Sequence, residues 1–147
     1  MLAARSRLLI AVFWAGSLWT VGYLVAPTLF ATLDDRMLAG TIAGSIFRVE
    51  AWFSVACALL LFFLVKALPG GEAARQRILW LPMAMLACTL LGYFCLQPFM
   101  AALRETAGPG GVMASSARMR FGILHGMSSA LYLIQSLLGV MLVLRIR

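Results

Sequence analysis

The sequence predicts an all-α polytopic membrane protein, a bundle of four transmembrane helices. Three observations predict it. The composition is 63% hydrophobic and only 12% charged, against the roughly 45–50% apolar content of ordinary globular domains. The charges gather in short runs between four long apolar blocks. Each block is long enough for a bilayer crossing, which needs about 20 mostly apolar residues, and none alternates as a barrel strand would.

The first block runs from Leu8 to Leu33 behind Arg5 and Arg7. A basic start before an apolar run is also how a signal peptide begins. This run exceeds the roughly 7–15 residues of a signal-peptide core, so a retained helix is expected. Asp34–Arg36 leads to the second block, about Leu38 to Val65. Residues 37–66 as one helix would be about 45 Å long, more than the hydrocarbon core. Its opening stretch MLAGTIAGSIFR is only mildly apolar and is expected to lie partly at the outer interface. Lys66–Arg77 connects to the third block, Ile78–Leu103, and Arg104–Arg120, with its GPGG, connects to the fourth, Phe121–Leu144. No internal repeat is evident, and residues 1–147 are expected to form a single four-helix domain with no sizeable extramembrane part.

The formal charge of +7 would suggest nucleic acid in a soluble protein. Here the arginines flank apolar segments, so their role is topological. No basic surface interleaved with aromatics is present to grip phosphates, and no nucleic-acid partner is expected. The amino tail, second connection and carboxyl tail hold seven basic residues (Arg5, Arg7, Lys66, Arg75, Arg77, Arg145, Arg147). The opposite side holds four (Arg36, Arg104, Arg118, Arg120) together with Asp34, Asp35 and Glu105. Both termini are therefore expected in the cytoplasm of a bacterial-type inner membrane. The expected partners are the lipid bilayer and, through small-residue faces, a second copy or another membrane protein. Gly40 and Gly44, Gly122 and Gly126, and Gly22 and Ala26 have the four-residue spacing that lets helices approach closely.

Polar groups are costly in a bilayer, so their positions carry the most information. In the fourth block His125, Ser128, Ser129, Tyr132, Gln135, Ser136 and Gly139 share one helical face, opposite a face of Leu, Ile, Val and Met. That stripe is expected to face the other helices or a cavity. By depth, one outer layer is expected to collect His125, Glu50, Arg48, Gln97 and Tyr23. Arg48 has the alternative of snorkelling to headgroups. A short carboxylate snorkels poorly, so Glu50 should find a cation or become protonated, with His125 as its expected partner. Pro98 frees the carbonyl of Phe94 and Pro27 does the same near Tyr23, compatible with an outward-facing polar pocket or with plain kinks.

His125, Cys95 and Met127, with Met119 and Met100, are ligand types that suit copper(I). Methionine is equally a filler of apolar helices. Cys57, Cys88 and Cys95 lack CxxC spacing, and a lone histidine excludes bis-histidine haem ligation within one chain. No cofactor is expected, with haem or copper as the alternative. No nucleophile elbow, P-loop or HExxH is present, and no catalytic residue is assigned.

The stretches WAGSLWTVGYLVAPTLFATL, AGTIAGSIFR and FGILHGMSSALYLIQSLLG resemble the transmembrane-protein-205-like family, known in bacteria as a domain of unknown function, number 4149. The resemblance covers nearly the whole chain. It implies a small four-helix integral membrane domain without an established activity. The positions that carry it are Trp19, Gly22, Pro27, Phe30, Gly40, Gly44, Arg48, His125, Ser128 and Ser129, and it assigns none of them a role. More distantly the chain resembles the copper-resistance D membrane family and small histidine-containing protoporphyrinogen oxidases, from which it departs in having no histidine on helix one. The expected function is a non-enzymatic small-solute or ion binding, transport-related module with an outward-facing polar pocket around His125. The alternatives are a haem- or copper-binding redox protein and an assembly partner of another membrane protein.

Overall fold

The computed structural model describes residues 2–67, 71–106 and 114–146. Among these, four helical spans are long and apolar enough to cross a membrane: Ala3–Thr32, Arg36–Lys66, Glu72–Glu105 and Ser115–Arg145. Helix is what such sequences must form, because lipid offers backbone groups no partners outside the chain. The helices extend past the apolar blocks at both ends, since the flanking polar residues continue or cap them. Asp35 shows how: its Oδ1 accepts from the backbone N–H of Met37 at 2.8 Å and Leu38 at 3.1 Å, so the second helix begins at Arg36 rather than at the first apolar residue.

Two of the spans are interrupted. The first consists of α1 (Leu2–Trp19), a π-helical turn over Thr20–Val25, and α2 (Ala26–Thr32). The second is one unbroken helix, α3 (Arg36–Lys66), with its mildly apolar opening fully helical. The third consists of α4 (Glu72–Thr89), a π-helical turn over Leu90–Cys95, and α5 (Leu96–Glu105). The fourth is α6 (Ser115–Arg145). In the wide turns the Ala26 N–H bonds the Val21 carbonyl and the Leu96 N–H bonds the Leu91 carbonyl, each five residues back. Both turns contain Gly-Tyr and both are followed within three residues by a proline, Pro27 or Pro98, which supplies no N–H to the turn before it. The sequence carries no overt repeat, yet the same local device stands in the first and third spans.

Packing places these two spans diagonally. α1 lies between α3 and α6, and α4 lies between the same two helices on the other side. The polar stripe of α6 therefore reaches both interrupted spans and hydrogen-bonds to their backbone. The Tyr132 hydroxyl donates to the Leu18 carbonyl at 2.6 Å. Ser128 donates to the Gly92 carbonyl at 3.2 Å, and Trp19 Nε1 donates back to the Ser136 carbonyl at 3.4 Å.

The bundle is packed unevenly along its length. The end that carries the chain termini holds the core: Trp14, Leu18, Leu61, Met85 and Leu142 are each fully buried. The other half, where α2 meets α3 and α5 approaches α6, is splayed. Large apolar side chains such as Phe13, Val49, Phe63 and Leu144 point outward, as lipid-facing residues do.

Close approach occurs at glycines other than most of those expected. A Cβ at Gly139 would stand 3.3 Å from the Ala15 Cβ, and one at Gly22 would run into the Tyr132 ring. At Gly40, Gly122 and Gly126 a Cβ would meet nothing within 4 Å, so these three do not mediate packing within the bundle. Gly22→Ala is expected to destabilise the fold by about 1–3 kcal/mol, as overpacked sites do, while Gly126→Ala melts like wild type. Circular-dichroism melts in detergent read the difference, and equal melts for the two variants would show that Tyr132 yields freely.

Candidate functional site

A cavity of about 530 Å³ fills the splayed half. Its floor is a hydrogen-bonded polar layer to which every span contributes. Ser54 of α3 is the hub. It accepts from Trp14 Nε1 at 2.8 Å and from Gln135 Nε2 at 3.5 Å. A hydroxyl so engaged has its own proton left to donate, and it lies 3.4 Å from Glu50 Oε1. Ser17 lies 3.1 Å from the same oxygen and 2.9 Å from the Trp14 carbonyl, so its single proton serves one or the other. Gln135 also donates to Thr89 at 2.9 Å, and Thr89 donates to the Met85 carbonyl at 3.2 Å. Glu50, Ser54, Thr89 and Gln135 are all buried.

Glu50 lies fourteen residues from Arg36, about 21 Å along α3, near the middle of the span rather than at its outer end. Its hydrogen-bond partners are Ser17 and Ser54, not His125. It has no ion-pair partner among the described residues. A carboxyl with one oxygen held by hydroxyls, at the floor of a cavity it helps to line, is placed to meet a ligand cation or a proton.

The walls are largely aromatic and apolar. Tyr132 sits edge-on to Phe47 at 5.5 Å between ring centroids and to Tyr23 at 6.3 Å. Tyr93 and Phe30 line the cavity as well. Polar groups return towards the wide end, where Gln97, Ser128, Ser129, His125 and Arg104 contribute. Arg104 lies over the Phe121 ring at 5.1 Å, and His125 stacks on the same ring at 6.0 Å and 6°.

Of the residues singled out from sequence, Tyr23, Glu50, Gln97, His125, Ser128, Ser129 and Gln135 all line this one cavity. Arg48 does not; it is exposed on the outside of α3, two residues from Glu50 and hence on another face. His125 stands on the wall beside Phe121 and not at the centre. Of the metal-ligand candidates, Cys95 and Met127 are exposed and do not share the cavity with His125. Among the described residues no group of three His, Cys, Asp or Glu side chains is placed to hold a metal ion. Sequence reasoning missed Arg104, which reads as a loop arginine because it ends an apolar block. It also missed Ser17, Ser54 and Thr89, single small polar residues whose convergence only the fold reveals.

Fold and site together define the class: a multi-pass membrane protein, a four-helix bundle closed at one end and hollow at the other. The chain belongs to the family described as a domain of unknown function (DUF4149), whose model matches residues 9–109. The match spans the first three helical crossings, while α6, which supplies Tyr132 and Gln135, follows it. No curated protein and no solved structure matches the chain.

Ser54→Ala removes the acceptor of two buried N–H groups and a donor to Glu50. It is expected to cost about 1–3 kcal/mol, the penalty of leaving buried polar groups unpaired. Ser45→Ala, which removes only an exposed hydroxyl bonded to the Thr41 carbonyl, is expected to be silent. Thermal unfolding in detergent compares them, and two silent variants would mean the floor re-pairs without Ser54.

Proposed function

We propose that this protein is a small-solute binding or transport-related module of a bacterial-type inner membrane, non-enzymatic, with both termini in the cytoplasm and its cavity facing outward. The observation that carries the reading is the convergence of all four spans on one cavity with a hydrogen-bonded polar floor. Sites of this kind, mostly apolar with a few placed polar groups, are what small-molecule pockets are made of. Intramembrane ionisable residues that face a bundle interior mark substrate or ion pathways. The excess of basic residues at the terminus end supports the orientation, seven against four. In this reading Glu50 is the central group, and Arg104 is the cation of the wide end, with His125 beside it. The likeness of its first and last blocks to transmembrane-protein-205-like sequences is consistent with it and supplies no substrate.

The test is access. In a background with Cys57, Cys88 and Cys95 replaced by serine, single cysteines at Ser129 and at Gln97 are expected to react with a charged, membrane-impermeant thiol reagent. The reagent should act from the side opposite the termini. A cysteine at Leu61, in the closed half, is expected to stay unreactive from both sides. Equal resistance at all three positions would rule out a solvent-open pocket.

A further inference from the structure

Two ionisable side chains of opposite sign in the cavity, Glu50 at the floor and Arg104 beside His125 towards the wide end, form no ion pair with each other or with any described residue. Arg104 leans on Phe121, which leaves its guanidinium donors available in the plane of the group. On the opposite wall stands Gly44. A Cβ there would lie 3.9 Å from an Arg104 guanidinium nitrogen and 3.8 Å from Gln97 Nε2. Two N–H donors from α5 thus converge on a place where α3 presents no side chain. Gly44 precedes Glu50 by six residues on α3, about 9 Å of axial rise. Between the two levels the walls are rings, those of Tyr23, Phe47 and Tyr132.

An unpaired charge in a low-dielectric site is costly, and a ligand of opposite charge offsets part of that cost. A simple organic cation would satisfy Glu50 and meet repulsion at Arg104. A simple anion would satisfy Arg104 and Gln97 and leave Glu50 alone. We propose that the cavity takes an elongated amphiphilic zwitterion, its cationic group at Glu50 among the aromatic rings and its anionic group between Arg104, Gln97 and Gly44. The apolar middle of such a ligand crosses the aromatic band. Rings beside the Glu50 carboxyl add cation–π attraction to the ammonium end. The inference rests on the reading above that the cavity receives a solute.

The probes are 6-aminohexanoate, hexylamine and hexanoate, with 4-aminobutanoate and 8-aminooctanoate as a length series. Binding is measured by equilibrium dialysis against the full chain in lipid nanodiscs, with empty nanodiscs subtracted. The best zwitterion of the series is expected to bind at least about tenfold tighter than either singly charged probe, one ion pair's worth in affinity. Affinity should pass through a maximum with length instead of rising steadily. Glu50→Gln should bring 6-aminohexanoate down to the affinity of hexanoate while leaving hexanoate binding intact. Arg104→Gln should bring it down to that of hexylamine while leaving hexylamine intact. Those retained affinities report that each variant is folded. Zwitterion binding no tighter than the better singly charged probe, or insensitive to both substitutions, overturns the ligand class. If no probe binds while the cysteine at Ser129 still reacts, the ligand class falls and the solvent-open pocket stands. If that cysteine is unreactive as well, both fall.

Discussion

The bundle depends on one constraint: Glu50, a carboxyl with no ion-pair partner among the described residues, sits at the middle of a membrane-spanning helix and must be satisfied there. Nothing in lipid can do this, so the surrounding helices do. Ser17 comes from the first span, Ser54 from the turn of α3 below, and Ser54 is itself held by Trp14 and by Gln135. Gln135 in turn reaches Thr89 on the third span. Each hydrogen bond of this kind contributes little on its own, about 0.6 kcal/mol on average between membrane helices. Their value is directional. Only one rotation of each helix brings Ser17, Trp14 and Gln135 to Glu50 and Ser54, and Thr89 to Gln135, so the layer sets register where apolar packing against apolar lipid cannot.

The layer also divides the molecule. Towards the termini the helices meet through small residues and interdigitated apolar side chains, with Gly139 against Ala15 and Met85, and Trp14 enclosed completely. Towards the other end the first and third spans each pass through a π-helical turn and a proline. A π turn places side chains out of step with the helix before it, and such turns are frequent at functional sites. The unsatisfied carbonyls that such turns create are accepted only where neighbours can reach them. Here α6 bonds backbone carbonyls of both interrupted spans, Tyr132 to Leu18 just before the first turn and Ser128 to Gly92 within the second. The polar stripe of α6 therefore has two tasks along its length. Gln135 builds the floor, and Ser128 and Tyr132 hold the walls apart at fixed points.

Much of this was legible in the sequence, and unequally so. Four apolar blocks of bilayer length, bounded by arginines, leave no alternative to four helices. The polar face of α6 is legible because seven residues share one helical phase, which chance seldom produces. The partners of Glu50 were not, because Ser17 and Ser54 are single small polar residues within apolar stretches, and only the packing of α1 against α3 brings Ser17 to the carboxyl. Glu50 and His125 line the same cavity without pairing, since the carboxyl is held by Ser17 and Ser54 while the imidazole stacks on Phe121. Glycine spacing misled in a different way. The spacing of Gly122 and Gly126 says that a helix has a flat face, but not that anything lies against it. Gly22, in contrast, is necessary because an aromatic ring from another helix occupies the space its side chain would need. Which glycine meets a ring is a tertiary fact with no local signature.

The cavity follows from these elements. Protein interiors pack to crystal-like density, and unfilled volume forfeits contacts on every wall. A space of about 530 Å³ between four helices is far beyond what imperfect packing leaves, and the aromatic residues around it are held by contacts with one another instead of collapsing inward. Tyr132 is fixed at its hydroxyl, Phe47 and Tyr23 are fixed edge-on to Tyr132, and the backbone beneath Tyr132 is fixed by Ser136. The walls are thus braced from α6, independently of anything the cavity contains. Glu50 and Arg104 line that cavity from different helices, Glu50 held by Ser17 and Ser54 and Arg104 against the Phe121 ring, and so stand apart without pairing.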